Sequence, residues 1–209
     1  MKISYAITVC NEFVEIQRLI TFLLQNKKIQ DEIVVLVDLT KNEPTSELLG
    51  YLHKLSSNNN ITLIEDNFNG HFADWKNKLG SACKGDYIFQ IDADEIPNEY
   101  LINYLPTIIE NNPEVDFYWV SRENYVDGIT QEHVQKWRWY LDNQNRINFP
   151  DKQGRIYKNS PEIKWQNKVH EVLVGYKQYS SLPEVTEFSL NHTKTIQKQE
   201  KQNSYYDTL

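Results

Sequence analysis

The chain has 209 residues, of which 40% are hydrophobic and 24% are charged, proportions typical of one folded domain with a substantial core. Its formal net charge of −7 argues against general affinity for nucleic acid, because nucleic-acid phosphates require a positive protein surface. No stretch approaches the roughly 20 apolar residues of a membrane helix. The two cysteines show no paired spacing, so we expect a chain without a transmembrane segment that works in the reducing cytoplasm.

Strand and helix patterns alternate through the first half of the chain. The strand patterns are runs of apolar and β-branched residues, and the helix patterns carry apolar residues at three- and four-residue spacing. In chain order we predict a strand at 3–9, a helix at 13–24, a strand at 32–38, a helix at 48–55, a strand at 61–65, a helix at 72–83 and a strand at 87–92. This order predicts an α/β fold with a mostly parallel sheet flanked by helices, as in Rossmann-like nucleotide-binding proteins.

The second half of the chain is less regular. Strand patterns occur at 115–121, 155–158, 168–174 and 185–190. Residues 122–150 show no clear period, and we expect loops and short helices there. From residue 193 the chain is polar, and we expect a helical or frayed tail.

Carboxylates follow the predicted strands at the edge of the sheet where ligands of parallel sheets bind. They are Asp38, Glu65 and the acids of Asp92-Ala93-Asp94-Glu95. Two carboxylates that flank one small residue after an apolar strand can face a single divalent cation, which would neutralise a diphosphate leaving group. The alternative is that these acids only precede a helix near residues 97–104, whose dipole favours negative charge.

The segment from Gly85-Asp86 to Asp92-Ala93-Asp94-Glu95 resembles glycosyltransferases of family 2, which have the GT-A fold. Asn11-Glu12 after the first strand, Asp38 at the end of the second and the pair Lys76-Asn77 are similar to the corresponding segments of that family. The family's Ser- and Gly-rich turn after the second strand is replaced here by a turn of different sequence, which departs from the pattern for base and ribose contacts.

A second resemblance covers the other half of the chain. Residues 150–157 and 163–171, which end in Val169-His170-Glu171, are similar to a subgroup that includes lipopolysaccharide-core and peptide glycosyltransferases. Four of the five tryptophans also lie in this half, where flat rings could either contact sugars or pack in the core. The resemblances imply a single GT-A-like domain over 1–209, with a nucleotide-sugar-binding half at 1–97, an acceptor and catalytic half at 98–192 and a polar tail at 193–209.

The resemblance to family 2 implies roles for the matched residues. The metal, Mn²⁺ or Mg²⁺, would lie at Asp92 and Asp94. The residues that would bind the nucleotide-sugar are Thr8, Asn11, Glu12, Asp38, Lys76, Asn77 and Asp92. The reaction would be inverting, with a uridine diphosphate sugar as the favoured donor. The acceptor, which could be a glycan, a lipid-linked sugar or a protein, is not identified by the sequence.

The Val-His-Glu segment supplies further candidates for the active site. His170 is a candidate third metal ligand, and His192 competes for that role. Glu171 is a candidate general base, and Asp151 is its rival. Because neighbouring side chains of a strand point to opposite faces, His170 and Glu171 could serve one site only near a strand end or a bulge.

Other interpretations of the same residues stay open. Asn11 could cap a helix, Asp38 could open a turn, and Lys76 and Asn77 could lie on a solvated helix face. Either histidine could be a hydrogen-bonded structural imidazole, and Glu171 could form an ion pair with Lys168 or Arg155. The chain could also be a carbohydrate- or nucleotide-binding protein without catalysis. A nucleotidyltransferase is less favoured, because residues 8–18 contain no glycine and one basic residue, unlike a phosphate-binding loop.

Overall fold

The computed structural model describes residues 1–40 and 44–206, so part of the unusual turn after the second strand and the end of the tail lie outside the described residues. The β-α-β-α-β-α-β order predicted for the first half is confirmed. Its strands are β1 (Ile3–Val9), β2 (Glu32–Asp38), β3 (Thr62–Asp66) and β4 (Tyr87–Asp92). Its helices are α1 (Phe13–Asn26), α2 (Ser46–Ser57) and α3 (Phe72–Ser81).

The second half continues with both strands and helices. The helices are α4 (Glu99–Asn111), α5 (Gln131–Trp137), a short 3₁₀ helix (Thr186–Phe188) and α6 (Ile196–Tyr206). The strands are β5 (Glu95–Pro97), β6 (Phe117–Asp127), β7 (Ile147–Lys158), β8 (Lys164–Gln166), β9 (Val172–Val174), β10 (Tyr179–Ser181) and β11 (Ser189–Thr195).

One large sheet contains strands from both halves, in the order β3-β2-β1-β4-β7-β6-β11-β5, with β10 also paired to β6. Strands β3, β2, β1 and β4 are mutually parallel, β7 is antiparallel to β4 and β6, and β11 is parallel to β6. Strands β8 and β9 form a separate antiparallel pair. The architecture confirms the predicted α/β fold with a mostly parallel sheet flanked by helices.

Strand β2 shows how this sheet is buried on both faces. Ile33, Val35 and Val37 pack into the layer that contains α1, while Val34 and Leu36 pack into the layer that contains α3. All five are at most 1% exposed, and burying each such side chain contributes about 1.5–3 kcal/mol. The sheet is therefore a rigid base for the side chains at its carboxyl edge.

The Gly85-Asp86 pair joins the start of β4 to the start of β1. A Cβ atom added to Gly85 would lie 2.6 Å from the backbone nitrogen of Ser4, so only glycine fits. The Asp86 carboxylate accepts a hydrogen bond of 2.7 Å from the backbone nitrogen of Lys2. This part of the family resemblance therefore reflects the close approach of two central strands.

Strands β6 and β7 are longer than the sequence predicts. Strand β6 continues through residues 122–127 and β7 begins at Ile147, although we expected loops and short helices over 122–150. The two strands pair with two register shifts. The alternation of apolar residues that identifies a strand is missing because polar side chains such as Arg122 and Asn124 line a cleft.

Two further strand predictions are wrong in their bounds. Of the strand expected at 168–174 only β9 is present, and residues 168–171 are irregular. Within the segment 185–190, Thr186–Phe188 form the 3₁₀ helix and only residues 189–190 belong to a strand, β11, which continues to Thr195 inside the predicted tail. Strand β11 can be polar because its backbone pairs with β6, while the side chains of His192 and Lys194 line the cleft.

Candidate active site

A cleft of about 770 Å³ opens at the carboxyl edge of the parallel strands, a volume within the usual range for small-molecule sites. Most of the site residues predicted from the sequence line it: Thr8, Glu12, Asp38, Lys76, Asp92, Asp94, Asp151, His170, Glu171 and His192. Asn11 and Asn77 do not line it. Residues that are up to 184 positions apart in the sequence thus meet at one edge of the sheet.

The residues after β1 and β2 are held by local hydrogen bonds. One carboxylate oxygen of Glu12 accepts from the backbone nitrogens of Cys10 and Asn11, at 2.9 and 3.1 Å. The Asp38 Oδ1 atom accepts from the backbone nitrogens of Thr40 and Phe68, at 2.7 and 3.0 Å. Asp38 therefore opens a turn, as one interpretation of the sequence had it, and it also lines the cleft.

A buried arginine connects the two acids at the end of β4. The Nη2 atom of Arg155 lies 2.6 Å from Asp92 Oδ2 and 2.5 Å from Glu95 Oε1. The Glu95 side chain is fully buried, and Arg122 Nη1 also reaches its Oε1 atom at 3.1 Å. Burial by itself would raise the pKa of Asp92, but the positive charges of Arg155 and Lys76 outweigh it and lower that pKa. Glu95 thus fixes two arginines beneath the cleft, and Asp92 stays ionised.

The carboxylate of Asp94 meets three nitrogen groups on the opposite wall. Its Oδ2 atom lies 3.4 Å from His192 Nε2, 3.8 Å from Lys194 Nζ and 3.4 Å from Lys198 Nζ. Burial would raise the pKa of Asp94, but the hydrogen bond and charge of His192 and the charges of the two lysines hold it far below its ordinary value. Asp94 is therefore an anion at neutral pH.

The orientation of His192 suits a metal ligand. Its Nδ1 atom lies 2.7 Å from Asn124 Oδ1, and Asn124 Nδ2 donates to Asp151 Oδ2 at 2.8 Å. The second bond fixes the Asn124 amide, so Nδ1 of His192 carries a proton and donates it, and Nε2 is the ring nitrogen that faces Asp94. A carboxylate oxygen and an imidazole nitrogen that face one point fit Mn²⁺ or Mg²⁺.

The protein alone offers an incomplete set of metal ligands. In residues 1–40 and 44–206, no three side chains of His, Cys, Asp or Glu are grouped closely enough to hold a metal ion. Mg²⁺ is usually held by one or two carboxylates together with water and substrate phosphates, so such a site is compatible with an ion that arrives with a phosphorylated ligand.

Both carboxylate oxygens of Asp151 accept hydrogen bonds. Its Oδ2 atom accepts from Arg122 Nε at 2.9 Å and from Asn124 Nδ2 at 2.8 Å, while Oδ1 accepts from Gln153 Nε2 at 2.7 Å. Burial would raise the pKa of Asp151, but the charge of Arg122 and these hydrogen bonds lower it. The carboxylate is therefore ionised and fixed in direction.

Glu171 forms an ion pair with Lys76 rather than with Lys168 or Arg155. The Glu171 Oε1 atom lies 2.6 Å from Lys76 Nζ, which also lies 4.4 Å from the centre of the Trp165 ring. Asn77 anchors the backbone of Trp165. Its side-chain nitrogen donates to the Trp165 carbonyl oxygen, and its side-chain oxygen accepts from the Trp165 backbone nitrogen, both at 2.9 Å. Lys76 is thus buried between an aromatic face and a carboxylate.

The backbone conformation at His170 allows His170 and Glu171 to face the same cleft, which the alternation of side chains in a regular strand would prevent. Its φ angle is 54°, in the left-handed region, and residues 168–171 form an irregular turn before β9. Neighbouring side chains need not point to opposite faces there, and both His170 and Glu171 line the cleft.

The family model that describes Glycosyl transferase family 2 matches residues 4–168. This chain belongs to glycosyltransferase family 2. The matched range ends two residues before His170, and membership of the subgroup with a Val-His-Glu segment stays a prediction.

Solved structures share the fold of this family 2 chain. TarS from S. aureus gives a TM-score of 0.63 at 16% identity, and the match covers 92% of this chain and 37% of the TarS chain. The 1–349 fragment of TarS in complex with UDP-GlcNAc gives 0.62 at 17% identity and covers 93% of this chain and 59% of the fragment. The chain thus spans at most 60% of these TarS chains. None of the curated proteins compared with the chain matches it.

Several basic residues at the cleft are not among the site residues predicted from the sequence. Arg122 and Arg155 lie on β6 and β7, and Lys194 lies on β11, in stretches whose strand character was partly hidden. Lys198, which contacts Asp94, lies on α6 in the predicted tail. Five carboxylates near one sheet edge do require compensating charge, and that requirement is the signal that could have drawn attention to these residues.

Proposed function

We propose that this chain is a glycosyltransferase that moves a sugar from a nucleoside diphosphate to an acceptor. The observation that carries the proposal is that Asp92 and Asp94, at the end of β4, face an imidazole and basic side chains across one cleft. A diphosphate with a divalent cation fits this wall, because each incoming charge meets an opposite charge. Membership of family 2 supports the same assignment.

The donor we propose is a uridine diphosphate sugar. TarS, which has a similar fold, forms complexes with UDP and UDP-GlcNAc. In this chain Thr8, Glu12 and Asp38 line the part of the cleft beyond β1 and β2 and would contact the nucleoside. Lys76 would reach the phosphates, and Asn77 would act at one remove, by fixing Trp165 beneath Lys76.

Mn²⁺ or Mg²⁺ is the cofactor we propose. Asp94 and His192 would hold the ion, with phosphate oxygens and water completing its coordination, and His170 is the alternative imidazole. Asp92, whose carboxylate is paired with Arg155, would add its negative charge beside the ion. When bound, the ion supplies positive charge to the diphosphate as its bond to the sugar breaks.

The reaction we propose is a single displacement, which inverts the anomeric centre. The acceptor hydroxyl attacks C1 of the sugar on the face opposite the diphosphate, and the electron pair of the breaking C1–O bond leaves with the nucleoside diphosphate. A carboxylate takes the proton of the hydroxyl. We assign this role to Asp151, because it lines the cleft, Arg122 and Asn124 fix its Oδ2 atom, and its Oδ1 atom accepts a single hydrogen bond in the structure, from Gln153.

Glu171, the rival base, has a different role in this proposal. Its carboxylate is committed to Lys76, whose ammonium group is buried. Glu171 would hold that ammonium group in the direction of the phosphates. Loss of Glu171 is therefore expected to affect donor binding more than the chemical step.

The acceptor is proposed to bind at the part of the cleft that Trp139 lines. Trp139 lines the cleft, and its ring lies 4.7 Å from that of Trp137, which stacks on His133. A pyranose could lie on such a platform. Trp119 and Trp165 instead pack against Phe117 and Tyr157, so they take the packing role that the sequence also allowed.

The compartment proposed for this reaction is the cytoplasm, because the two cysteines of the sequence lack the paired spacing of a disulfide framework. Within residues 1–40 and 44–206, no helix has the length and apolar character needed to cross a bilayer.

Calorimetry with nucleotides tests the proposal. With Mn²⁺ present, UDP should bind more tightly than GDP or thymidine diphosphate, and EDTA or Asp94→Ala should weaken binding at least about tenfold, as expected for loss of a charged contact. Unchanged thermal unfolding of the variant serves as the control for folding. A preference for GDP would refute the uridine donor, and UDP affinity that ignores both EDTA and Asp94→Ala would refute the metal.

A further inference from the structure

Two lysines from the end of the chain converge on one oxygen of Asp94. Lys194 lies on β11 and Lys198 on the first turn of α6, and their Nζ atoms approach Asp94 Oδ2 to 3.8 and 3.4 Å. His192 Nε2 faces the same oxygen at 3.4 Å. This is the oxygen that a metal held by Asp94 and His192 would approach.

The two lysines differ in burial and in their other contacts. The side chain of Lys194 is 9% exposed and lines the cleft. Burial lowers the pKa of Lys194, which the charge of Asp94 offsets only in part. Lys198 is 38% exposed and also contacts Glu15 on α1 at 3.2 Å. Both lysines are thus held at the cleft by carboxylates, and the drier position of Lys194 strengthens its attraction for an anion.

A divalent cation and these ammonium groups cannot share Asp94 without strong repulsion. Binding of the cation would therefore displace Lys194 and Lys198 from the Oδ2 atom, and each displaced ammonium group would need another anion nearby. A diphosphate that arrives with the cation supplies that anion within the reach of a lysine side chain.

We propose that Lys194 and Lys198 neutralise Asp94 when no donor is bound and bind the diphosphate of the donor when it enters. The inference rests on the proposed function and adds two binding residues to it. It predicts two opposite effects. The lysines strengthen the binding of the diphosphate and weaken the binding of the metal alone.

The test uses Lys194→Met and Lys198→Met in the full chain, with Lys201→Met as a control because Lys201 is exposed on the same helix. Calorimetry with saturating Mn²⁺ compares UDP with uridine, and electron paramagnetic resonance measures the binding of Mn²⁺ alone. Each cleft variant should bind UDP about tenfold more weakly, the usual cost of a lost charged contact. Uridine affinity should not change, and Mn²⁺ should bind more tightly.

The outcomes separate this inference from the proposed function. Unchanged UDP affinity of both variants with Mn²⁺ present, or weaker binding of Mn²⁺ alone by the variants, would overturn the role of the lysines. In either case Mn²⁺-dependent binding of UDP by the wild type would leave the proposed function standing. Lys194→Arg should restore UDP binding, which separates lost charge from a packing defect, and thermal unfolding confirms that each variant is folded.

Discussion

Asp151→Asn should lower kcat for sugar transfer by about 10²–10⁴-fold, the range for loss of a general base. The amide has nearly the shape of the carboxylate but cannot accept the proton of the acceptor hydroxyl. Donor affinity should change little, because Asp151 is held by Arg122, Asn124 and Gln153 rather than by the residues assigned to the diphosphate. Steady-state kinetics combined with calorimetry of UDP measures both quantities.

Glu171→Gln is the matched comparison for Asp151→Asn. It removes the charge that holds Lys76, so it should weaken UDP binding and leave a larger fraction of kcat than Asp151→Asn does. The reverse pattern, with kcat lost in Glu171→Gln and retained in Asp151→Asn, would identify Glu171 as the base and contradict our assignment.

Arg155→Met should lower the free energy of unfolding by about 3–5 kcal/mol, the usual cost of removing one partner from a buried ion pair. Arg155 is 3% exposed, and its loss leaves the fully buried Glu95 and the adjacent Asp92 without a shared counter-charge. Urea denaturation at neutral pH measures the change. Lys152→Met is the control, because Lys152 pairs with Glu184 at the surface and should cost no more than about 1 kcal/mol.

The difference in unfolding free energy between the wild type and Arg155→Met should depend on pH. The pKa of Asp92 is lowered in the folded protein, so its interaction stabilises the fold above the unfolded value of 3.8 and is lost as the pH falls through the folded value. In Arg155→Met the carboxylates of Asp92 and Glu95 lack the charge of Arg155, so their protonation at low pH stabilises the variant more than it stabilises the wild type. The stability difference between wild type and variant should therefore shrink as the pH is lowered, and a difference that grows would contradict the assigned ion pairs.

The edge of the cleft at β1, β2 and β4 follows from the sequence because each of its features is local. Strand β2 is an apolar run rich in β-branched residues, and Asp92-Ala93-Asp94 follows an apolar strand directly. The carboxyl ends of parallel strands meet at one edge by geometry, so the strand order alone brings Asp38 and Asp92 to the same cleft. Those inferences need no knowledge of distant contacts.

The other wall of the cleft could not be predicted in the same way. Arg122 and Lys194 lie on strands whose cleft-facing positions are polar, so the apolar alternation that identifies a strand is absent. The turn at His170 depends on a left-handed residue that is not glycine, for which the sequence carries no turn signal. The partner of Glu171 lies 95 positions away, on α3, and such a pairing follows only from the folded chain.

Release of nucleoside diphosphate from a sugar donor is the measurement that tests the central claim most directly. The purified chain is incubated with uridine, guanosine and thymidine diphosphate sugars in the presence of Mn²⁺ or Mg²⁺, with water or simple sugars as acceptor. The account predicts release of UDP from a uridine diphosphate sugar by the wild type and none above background by Asp94→Ala. A folded wild-type chain that binds these donors but releases no nucleoside diphosphate from any of them would contradict it, and would indicate a nucleotide-binding protein without catalysis.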